Sequence, residues 1–600
     1  MAPESEADRR SVAPRTSLVG IPIEASGIGR WLPGLHVLRH YRRSWLARDI
    51  AAGLTLTALL VPAGMGYAEA SGLPAITGLY ATIVPLLAYA LVGPSRILVL
   101  GPDSALVALV AAVVVPMSGG DPIRAVALGS MLSVLSGALC IVAGLARLGF
   151  LTDLLSKPVR VGYMNGIALT ILVAQAPKLC GFSVDADGVA DGLVAFVRGV
   201  IDGRTKLEAL GIGAACLLII LGIKAIRPRV PGVLIAVVLA TTAVAVLGFA
   251  DRISVIGEVP RGLPLPSLPA IGLSDIGPLL VGATGTALVS AADTSVLSRT
   301  YAARAGERVD PNRELVGLGF ANVVGGFFSG FPISSSASRT PVAEAAGSRT
   351  QLTGVVGALA IVVLLVAVPG LLSTLPTTAL AAVVISAAIA MIDVASFRVF
   401  YRVRRSDFLL ALVGFVAIAG LGVIRGIAIA VSIALLDFIR RAWRPHDAIL
   451  GRAEGVKGYH DLKRYPNARV IPGLVLYRWD APLFFANAET FRERLIEIVE
   501  EAATPVKWVV VAAEPITDVD TTAADMIQEL DKVLASRGVE LAFAEMKDPV
   551  KDRLHRYGLK TTIGADFFFP TLGVAVKAFL DRHQVDWVDW EEKGGEHAGE

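Results

Sequence analysis

Residues 330–341 read GFPISSSASRTP, and the chain on either side is almost wholly apolar, LVGLGFANVVGGFF before and LTGVVGALAIVVLLVAVPG shortly after. Four serines, a threonine and Arg339 thus interrupt two runs suited to lipid. Irregular backbone at membrane depth is tolerated only where it is buried in protein or lines a cavity, so the stretch points to an internal polar site. A second interruption has the same form. GPDSALVALVAAVVVPM, from Gly101, places an apolar helix after a Gly-Pro break, and SSASRTPVAEAAG follows the first interruption from Ser335. Both read as broken helices, starting near Pro102 and Ser335.

The composition agrees with a membrane setting. Of 600 residues, 54% are hydrophobic and 18% charged, and the mean hydropathy of +0.64 lies outside the range of ordinary globular domains. Runs of roughly 20 residues, long enough to span, begin near Asp49, Ile76, Pro122, Leu151, Leu207, Val230, Ile276, Leu315, Gln351, Leu375, Phe408 and Ile424. With the two broken helices the count is about fourteen. The breaks fall about fifty residues after Asp49 and about sixty after Ile276, so the chain reads as two halves of about seven spans. An odd number per half makes the repeats inverted, and paired interruptions in inverted repeats mark a transporter's central site.

Lys and Arg concentrate in cytoplasmic loops. Alternate connections are basic here, at Arg42, Arg43 and Arg48, at Arg147, Lys157 and Arg160, at Lys224, Arg227 and Arg229, at Arg299, Arg304, Arg308 and Arg313, at Arg349, at Arg398, Arg402, Arg404 and Arg405, and at Arg440, Arg441 and Arg444. Intervening connections are short or acidic, as in SVDADGVADG from Ser183. The reading is a multi-pass protein of the plasma (inner) membrane with both termini cytoplasmic. The polar first forty-five or so residues lack an apolar core and cleavage site and are expected to be retained.

Several classes find no support. The net charge is +3 and the basic residues are scattered, which gives no nucleic-acid surface. Cys140, Cys180 and Cys216 lack metal or redox spacing and read as packing residues. The histidines lie outside the membrane part, the VGPSRILVLGP segment lacks the Lys-Ser/Thr ending of a P-loop, and no nucleophile–base pair or metal cluster suggests an enzyme or a cofactor.

From about Arg444 the pattern becomes that of a cytoplasmic α/β domain: GLVLYRWD, VKWVVVAA and VELAFAEM as strands, and ANAETFRERLIEIVEEAA, TTAADMIQELDKVLASRG, DPVKDRLHRYGL and Leu572 to Leu580 as helices. The expected domains are a cytoplasmic segment 1–44, a transmembrane domain 45–443, a charged, Gly-containing linker 444–468, the α/β domain 469–584 and a polar tail 585–600.

If the two broken helices face each other, their N-terminal dipole ends aim at one spot and favour an anion. Backbone N–H groups of Gly101, Asp103 and Ser104 on either side of Pro102, with Ser335, Ser336, Ala337 and Ser338, supply neutral donors, and Arg339 supplies either the positive field or a contact to lipid headgroups. Asp103 would repel the anion unless it turns away, caps its helix or carries a proton. Asp293 lies inside an apolar span and reads as a coupling site that takes a proton or helps hold sodium. Glu69 is a second coupling candidate or a carboxylate at the water interface. Glu314 opens the ninth span and reads as a helix-end acid.

The stretches DIAAGLTLTALLVPAGMGYAEASGLPAITGLY, VGPSRILVLGPDSA and DPNRELVGLGFANVVGGFFSGFPISSSASRTPV resemble the SulP family of anion transporters, which includes sulfate permeases, bicarbonate carriers, pendrin and prestin. VLYRWDAPLFFANAETFRERL and ITDVDTTAADM resemble that family's STAS domain. The resemblance runs from about Trp45 to Leu580. It implies an α-helical, UraA-like fold of seven plus seven inverted spans, a core of spans 1–4 and 8–11, a gate of spans 5–7 and 12–14, a homodimer, and substrate between the half-helix ends of spans 3 and 10. Ala63 stands where many members carry a glutamine that approaches the anion, and Asp293 where many carry glutamate. Thr521 or Thr522 matches a position phosphorylated in related bacterial domains, or simply begins a capped helix. The implied function is secondary active transport of a small inorganic oxyanion, sulfate first, with proton or sodium as coupling ion. Bicarbonate, then a dicarboxylate, follow, and a membrane-anchored signalling scaffold is the reading of a different class.

Overall fold

The computed structural model describes residues 32–150, 152, 156–184, 186, 188–227, 230–249, 252–257, 260 and 262–589. Most of the expected segment 1–44, the end of the tail, Leu151, Asp185, Asp187 and Arg229 lie outside the described residues. The chain divides into two compact units, residues 1–434 and 435–600.

The first unit is helical. In chain order the spans are Arg43–Ala70, Ala75–Val92, Ser104–Ser118, Pro122–Leu145, Lys157–Leu179, Leu207–Ile226, Gly232–Val246, Ile276–Arg304, Pro311–Phe327, Arg339–Ala345, Leu352–Ala367, Thr377–Met391, Arg405–Leu421 and Val423–Trp443, numbered 1 to 14 below; the last runs past the boundary of the unit. Among the described residues seven helices are long and apolar enough to cross a bilayer by themselves. Spans 3 and 10 are short because each begins after an extended break. Two amphipathic helices join the set, Val189–Ile201 and Val394–Val403. They were not anticipated, being too short to span and interrupted by charge.

Spans 1–4 and 8–11 pack chiefly with one another, while span 5 lies against 12 and 13 and span 6 against 7 and 12; span 14 meets span 13, where a Cβ on Gly426 would lie 2.5 Å from Ile418 Cα. Spans 4 and 9 meet along a close seam. A Cβ on Gly137 would lie 2.5 Å from the Gly319 carbonyl oxygen, and one on Gly319 would lie 2.5 Å from that of Gly137. Only small residues allow two helix backbones to approach so closely in lipid.

The two breaks are extended strands. β1 (Leu100–Gly101) pairs antiparallel with β2 (Ser334–Ser335), with Leu100 opposite Ser335 and Gly101 opposite Ser334. The helices accordingly begin later than Pro102 and Ser335, at Ser104 and Arg339, with residues 102–103 and 336–338 connecting them to the strand pair. Every polar backbone group taken from water needs a partner, and side chains supply several. Asn322 accepts from the Ile333 N–H at 2.8 Å and donates to its carbonyl at 3.2 Å, the Ser335 N–H donates to Thr294 Oγ1 at 3.2 Å, and the Val99 N–H donates to Thr340 Oγ1 at 3.2 Å.

The second unit contains a six-stranded sheet in the order β4-β3-β5-β6-β7-β8, formed by β3 (Asp447–Arg452), β4 (Tyr459–Asp461), β5 (Leu474–Trp479), β6 (Trp508–Ala512), β7 (Glu540–Ala544) and β8 (Phe568–Phe569). β5 to β8 are parallel neighbours, and β3 joins β5 antiparallel. Residues 444–468 are therefore not a linker: they hold β3 and β4. Their charge is misleading, since Arg452 is buried, donates to Asp589 at 3.0 Å and to the Gly458 carbonyl at 2.9 Å, while Ala448 and Leu450 enter the core beneath Trp508 and Phe579. Cys140, Cys180 and Cys216 are buried and unpaired as disulfides.

Candidate functional site

Gly101 has φ +154°, which disfavours a side chain, and a Cβ there would approach Arg339 Nη1 to 3.1 Å. The glycine thus makes room for a guanidinium. Arg339 is 3% exposed; its Nη2 donates to the Pro102 carbonyl and lies 3.7 Å from Asp103 Oδ1. Nη1 is buried without a hydrogen-bond partner among the described residues, and so is the hydroxyl of Ser335. The arginine faces the opposite break across the strand pair and does not reach toward headgroups.

Asp103 caps span 3, accepting from the Ala105 N–H at 3.3 Å, and pairs with Arg339 as well. Ser336 Oγ accepts from the Arg339 N–H at 3.3 Å and contacts Ser338 Oγ at 3.2 Å. Around this buried cluster the chain opens: Asp103 and Ser104 are half-buried, and Ala337 and Ser338 are exposed. The structure therefore gathers Gly101, Pro102, Asp103, Ser104, Ser335, Ser336, Ala337, Ser338 and Arg339. Ala63 is buried in span 1. Tyr67, one turn further on, is buried beside Ser104 within electrostatic reach of Asp103 and Arg339. It was not singled out from the sequence, although the i,i+4 spacing from Ala63 places it on the same helix face.

Asp293 is half-buried on span 8. The Tyr163 hydroxyl of span 5 donates to its Oδ1 at 3.5 Å, and Asp103 is near enough for the two carboxylates to repel. Glu69 lies elsewhere, in a cleft of about 670 Å³ lined also by Leu73, Tyr80, Ile123 and Thr377. Lys178 Nζ donates to its backbone carbonyl at 3.2 Å. Glu314 does lie in the first turn of span 9, but it is not the cap. Asp310 caps span 9, accepting from the Asn312 N–H at 2.9 Å, while the buried Glu314 carboxylate accepts from the Tyr89 hydroxyl and from Ser95 Oγ at 2.7 Å.

Among the described residues no group of three or more His, Cys, Asp or Glu side chains is placed to hold a metal ion. What the breaks offer is an unpaired cationic N–H and neutral hydroxyls beside an opening, a donor set suited to an anion. In the second unit Thr521 and Thr522 are exposed in the first turn of the helix Thr521–Ser536, whose cap is Asp520, accepting from the Ala523 N–H at 2.8 Å.

Comparison with known proteins agrees with this architecture. The sulfate permease family matches residues 46–414, and the STAS domain matches residues 465–575. The chain is 42% identical to a probable sulfate transporter of Mycobacterium tuberculosis over 92% of its own length and 98% of the relative's. It is 30% identical to the chloroplastic sulfate transporter 4.1 of Arabidopsis thaliana, over 91% and 82%. The murine anion transporter Solute Carrier 26 family member A9, solved in the inward-facing state, is similar with a TM-score of 0.85 at 21% identity, covering 93% of this chain and 96% of that one. The transmembrane domain of the cyanobacterial bicarbonate transporter BicA gives 0.55 at 24% identity, covering 66% and 98%. These two likenesses establish the fold. The protein is a multi-pass membrane transporter with a C-terminal STAS domain rather than an enzyme, and it belongs to the sulfate permease family.

Proposed function

We propose that this protein is a secondary active transporter of a small inorganic oxyanion, sulfate first, held between the starts of spans 3 and 10. The observation that carries the reading is Arg339 Nη1, a buried cationic donor with no partner among the described residues. A buried charge-assisted donor left unmatched is costly, and an oxyanion entering past Ser338 would satisfy it together with Ser335 Oγ. Sulfate is placed first because the relatives of highest similarity given above are named as sulfate transporters. Bicarbonate is second, on the likeness in fold to a bicarbonate carrier.

Charge balance supports coupling. Arg339 faces Asp103, and Asp293 adds a second carboxylate nearby, within electrostatic reach of Arg160, so these charges are close to balanced and an incoming anion creates an excess of negative charge unless a cation accompanies it. Asp293 is the group we assign to that cation, a proton or sodium. We assign the protein an elevator-like movement of a core (spans 1–4 and 8–11) against a gate (spans 5–7 and 12–14), a reading supported by Asp293 lying with the spans that carry both breaks while its partner Tyr163 lies on span 5. We place it in the plasma (inner) membrane as a homodimer with both termini cytoplasmic. The test is uptake of labelled sulfate, bicarbonate and succinate into proteoliposomes under imposed proton or sodium gradients. Sulfate accumulation driven by one gradient is the expected result, and failure to move any of the three anions overturns the proposal.

A further inference from the structure

The helix Val394–Val403, VASFRVFYRV, connects spans 12 and 13 and so lies where the chain emerges from the bilayer. One side of it is committed to protein. Phe400, 7% exposed, packs with Phe397 against Val161 of span 5 and Phe408 and Ala411 of span 13, and the Phe397 and Phe408 rings meet edge to face at 6.2 Å. At about 100° per residue, Arg398 and Arg402 project on the opposite side, one turn apart and both exposed. They are flanked by Val394 and Tyr401 on one edge and by Val399 and Val403 on the other, 52%, 57%, 53% and 79% exposed.

Water does not favour four large apolar side chains on a ten-residue helix, and hydrocarbon does not favour its arginines. The membrane interface accommodates both, with the flanks in the acyl boundary and the guanidinium groups at headgroup level. The local charge is one-sided. Lys157, Arg160, Arg398, Arg402, Arg404 and Arg405 stand against Asp393 and Asp407, and both acids already have work: Asp393 caps the helix, accepting from the Ser396 N–H at 2.9 Å, and Asp407 lies 3.9 Å from Arg404. Arg398 and Arg402 have no ion-pair partner among the described residues. Like charges spaced i,i+4 repel, so the helix as it stands needs anions outside the protein. A zwitterionic headgroup carries no net charge to supply, and a free anion would leave the apolar flanks uncovered.

We propose that Val394–Val403 is a binding surface for the headgroups of anionic phospholipids. Because Phe400 ties this helix to spans 5 and 13, bound headgroups fasten that group of spans to one leaflet. Each arginine near an anionic surface contributes roughly fivefold to association, about thirtyfold for the pair.

The full-length protein is placed in nanodiscs of phosphatidylcholine alone, or of phosphatidylcholine mixed with phosphatidylglycerol, and amide hydrogen exchange is followed by mass spectrometry. Exchange of residues 394–403 slows about tenfold or more when phosphatidylglycerol is present, while span 3 exchanges equally in both. Arg398→Gln/Arg402→Gln removes the difference, and Arg398→Lys/Arg402→Lys keeps it. Equal exchange of the wild-type helix in the two lipids overturns the proposal, including the case in which a protein partner is its true occupant. Slowing by inorganic phosphate added to phosphatidylcholine discs overturns it in favour of a general anion site. If the Gln variant does not fold, the wild-type comparison still decides.

Discussion

Arg339 has three neighbours that explain its position and one hydrogen-bonding nitrogen that they leave unused. Gly101 gives it space, the Pro102 carbonyl and Asp103 hold Nη2, and Nη1, beside Gly101, is buried with no hydrogen-bond partner among the described residues. Arg339→Ala should therefore weaken sulfate binding by about 2 kcal/mol or more, roughly thirtyfold, measured by calorimetry on the purified protein. Arg339→Lys should recover only part, because an ammonium lacks the planar fork that serves the Pro102 carbonyl and an oxyanion together. Unchanged affinity in the Ala variant would remove Arg339 from the site. Asn322 makes a second case, since its side chain takes the place of a neighbouring strand for Ile333: the N–H depends on it, while the carbonyl accepts from Ser290 Oγ at 3.2 Å as well. Asn322→Ala should cost about 1–3 kcal/mol for the Ile333 N–H left unsatisfied, seen as a lower thermal midpoint. Anion binding should fall with it, because β2 follows Ile333 directly. A variant as stable as the parent would show that water replaces the amide. Arg339 and the serines were legible in the sequence because polar residues inside an apolar run stand out. Asn322 was not, since its partner lies eleven residues away beyond a turn that only the fold supplies.

Elements are legible to the extent that one periodicity dominates them. Twelve of the spans follow from apolar runs and the other two from the broken helices, and their starts agree with the sequence reading within about six residues, the largest gaps being at spans 1 and 5. The misses share a cause. Val189–Ile201 and Val394–Val403 alternate apolar and charged faces within a turn or two, so a search for continuous hydrophobicity passes over them. β3 and β4 were hidden by charge, because Arg452 is inward-facing and satisfied by Asp589, more than a hundred residues further along the chain. The two breaks read as helix starts when in fact four of their residues are β-paired, a long-range contact that no local pattern encodes. At this scale the span 4–span 9 seam gives a sharp expectation. Gly137→Leu places a side chain where even a Cβ would meet the Gly319 carbonyl oxygen at 2.5 Å, so the helices must separate or the side chain must leave its rotamer, at about 3 kcal/mol or more. Loss of the monodisperse peak in size-exclusion chromatography is the expected result. A Leu variant that elutes and melts like the parent would mean that the seam is looser than these backbones indicate.

Across the whole molecule the two units have separate cores, one formed by the spans and one by the sheet with its helices. Ending the chain after Arg444 should leave the membrane unit extractable and folded, and a truncated protein recovered only as aggregate would contradict that independence. Coupling is the other property that belongs to the molecule as a whole, because it depends on a balance of charges drawn from several spans. Without substrate, the region holds two guanidinium groups, Arg339 beside Asp103 and Arg160 within electrostatic reach of Asp293, against those two carboxylates, so it is close to balanced. An oxyanion adds negative charge, and Coulomb repulsion at these separations in a medium poorer than water exceeds thermal energy, so the loaded carrier forms readily only with a cation aboard. Asp293 is free to take it, since Asp103 is already engaged by Arg339 and by its helix N-terminus. Asp293→Asn fixes that position as neutral. If the cation is a proton, the Asn variant behaves as a permanently loaded carrier: exchange of internal for external sulfate persists, while accumulation driven by a pH gradient is lost. If the cation is sodium, the amide is a poorer ligand than the carboxylate, and sodium stimulation disappears. Counterflow and gradient-driven uptake, measured side by side in the same proteoliposomes, separate the two cases. Full gradient-driven accumulation by the Asn variant under both gradients would show that Asp293 serves only to hold Tyr163, and the charge balance would then have to be met by Asp103.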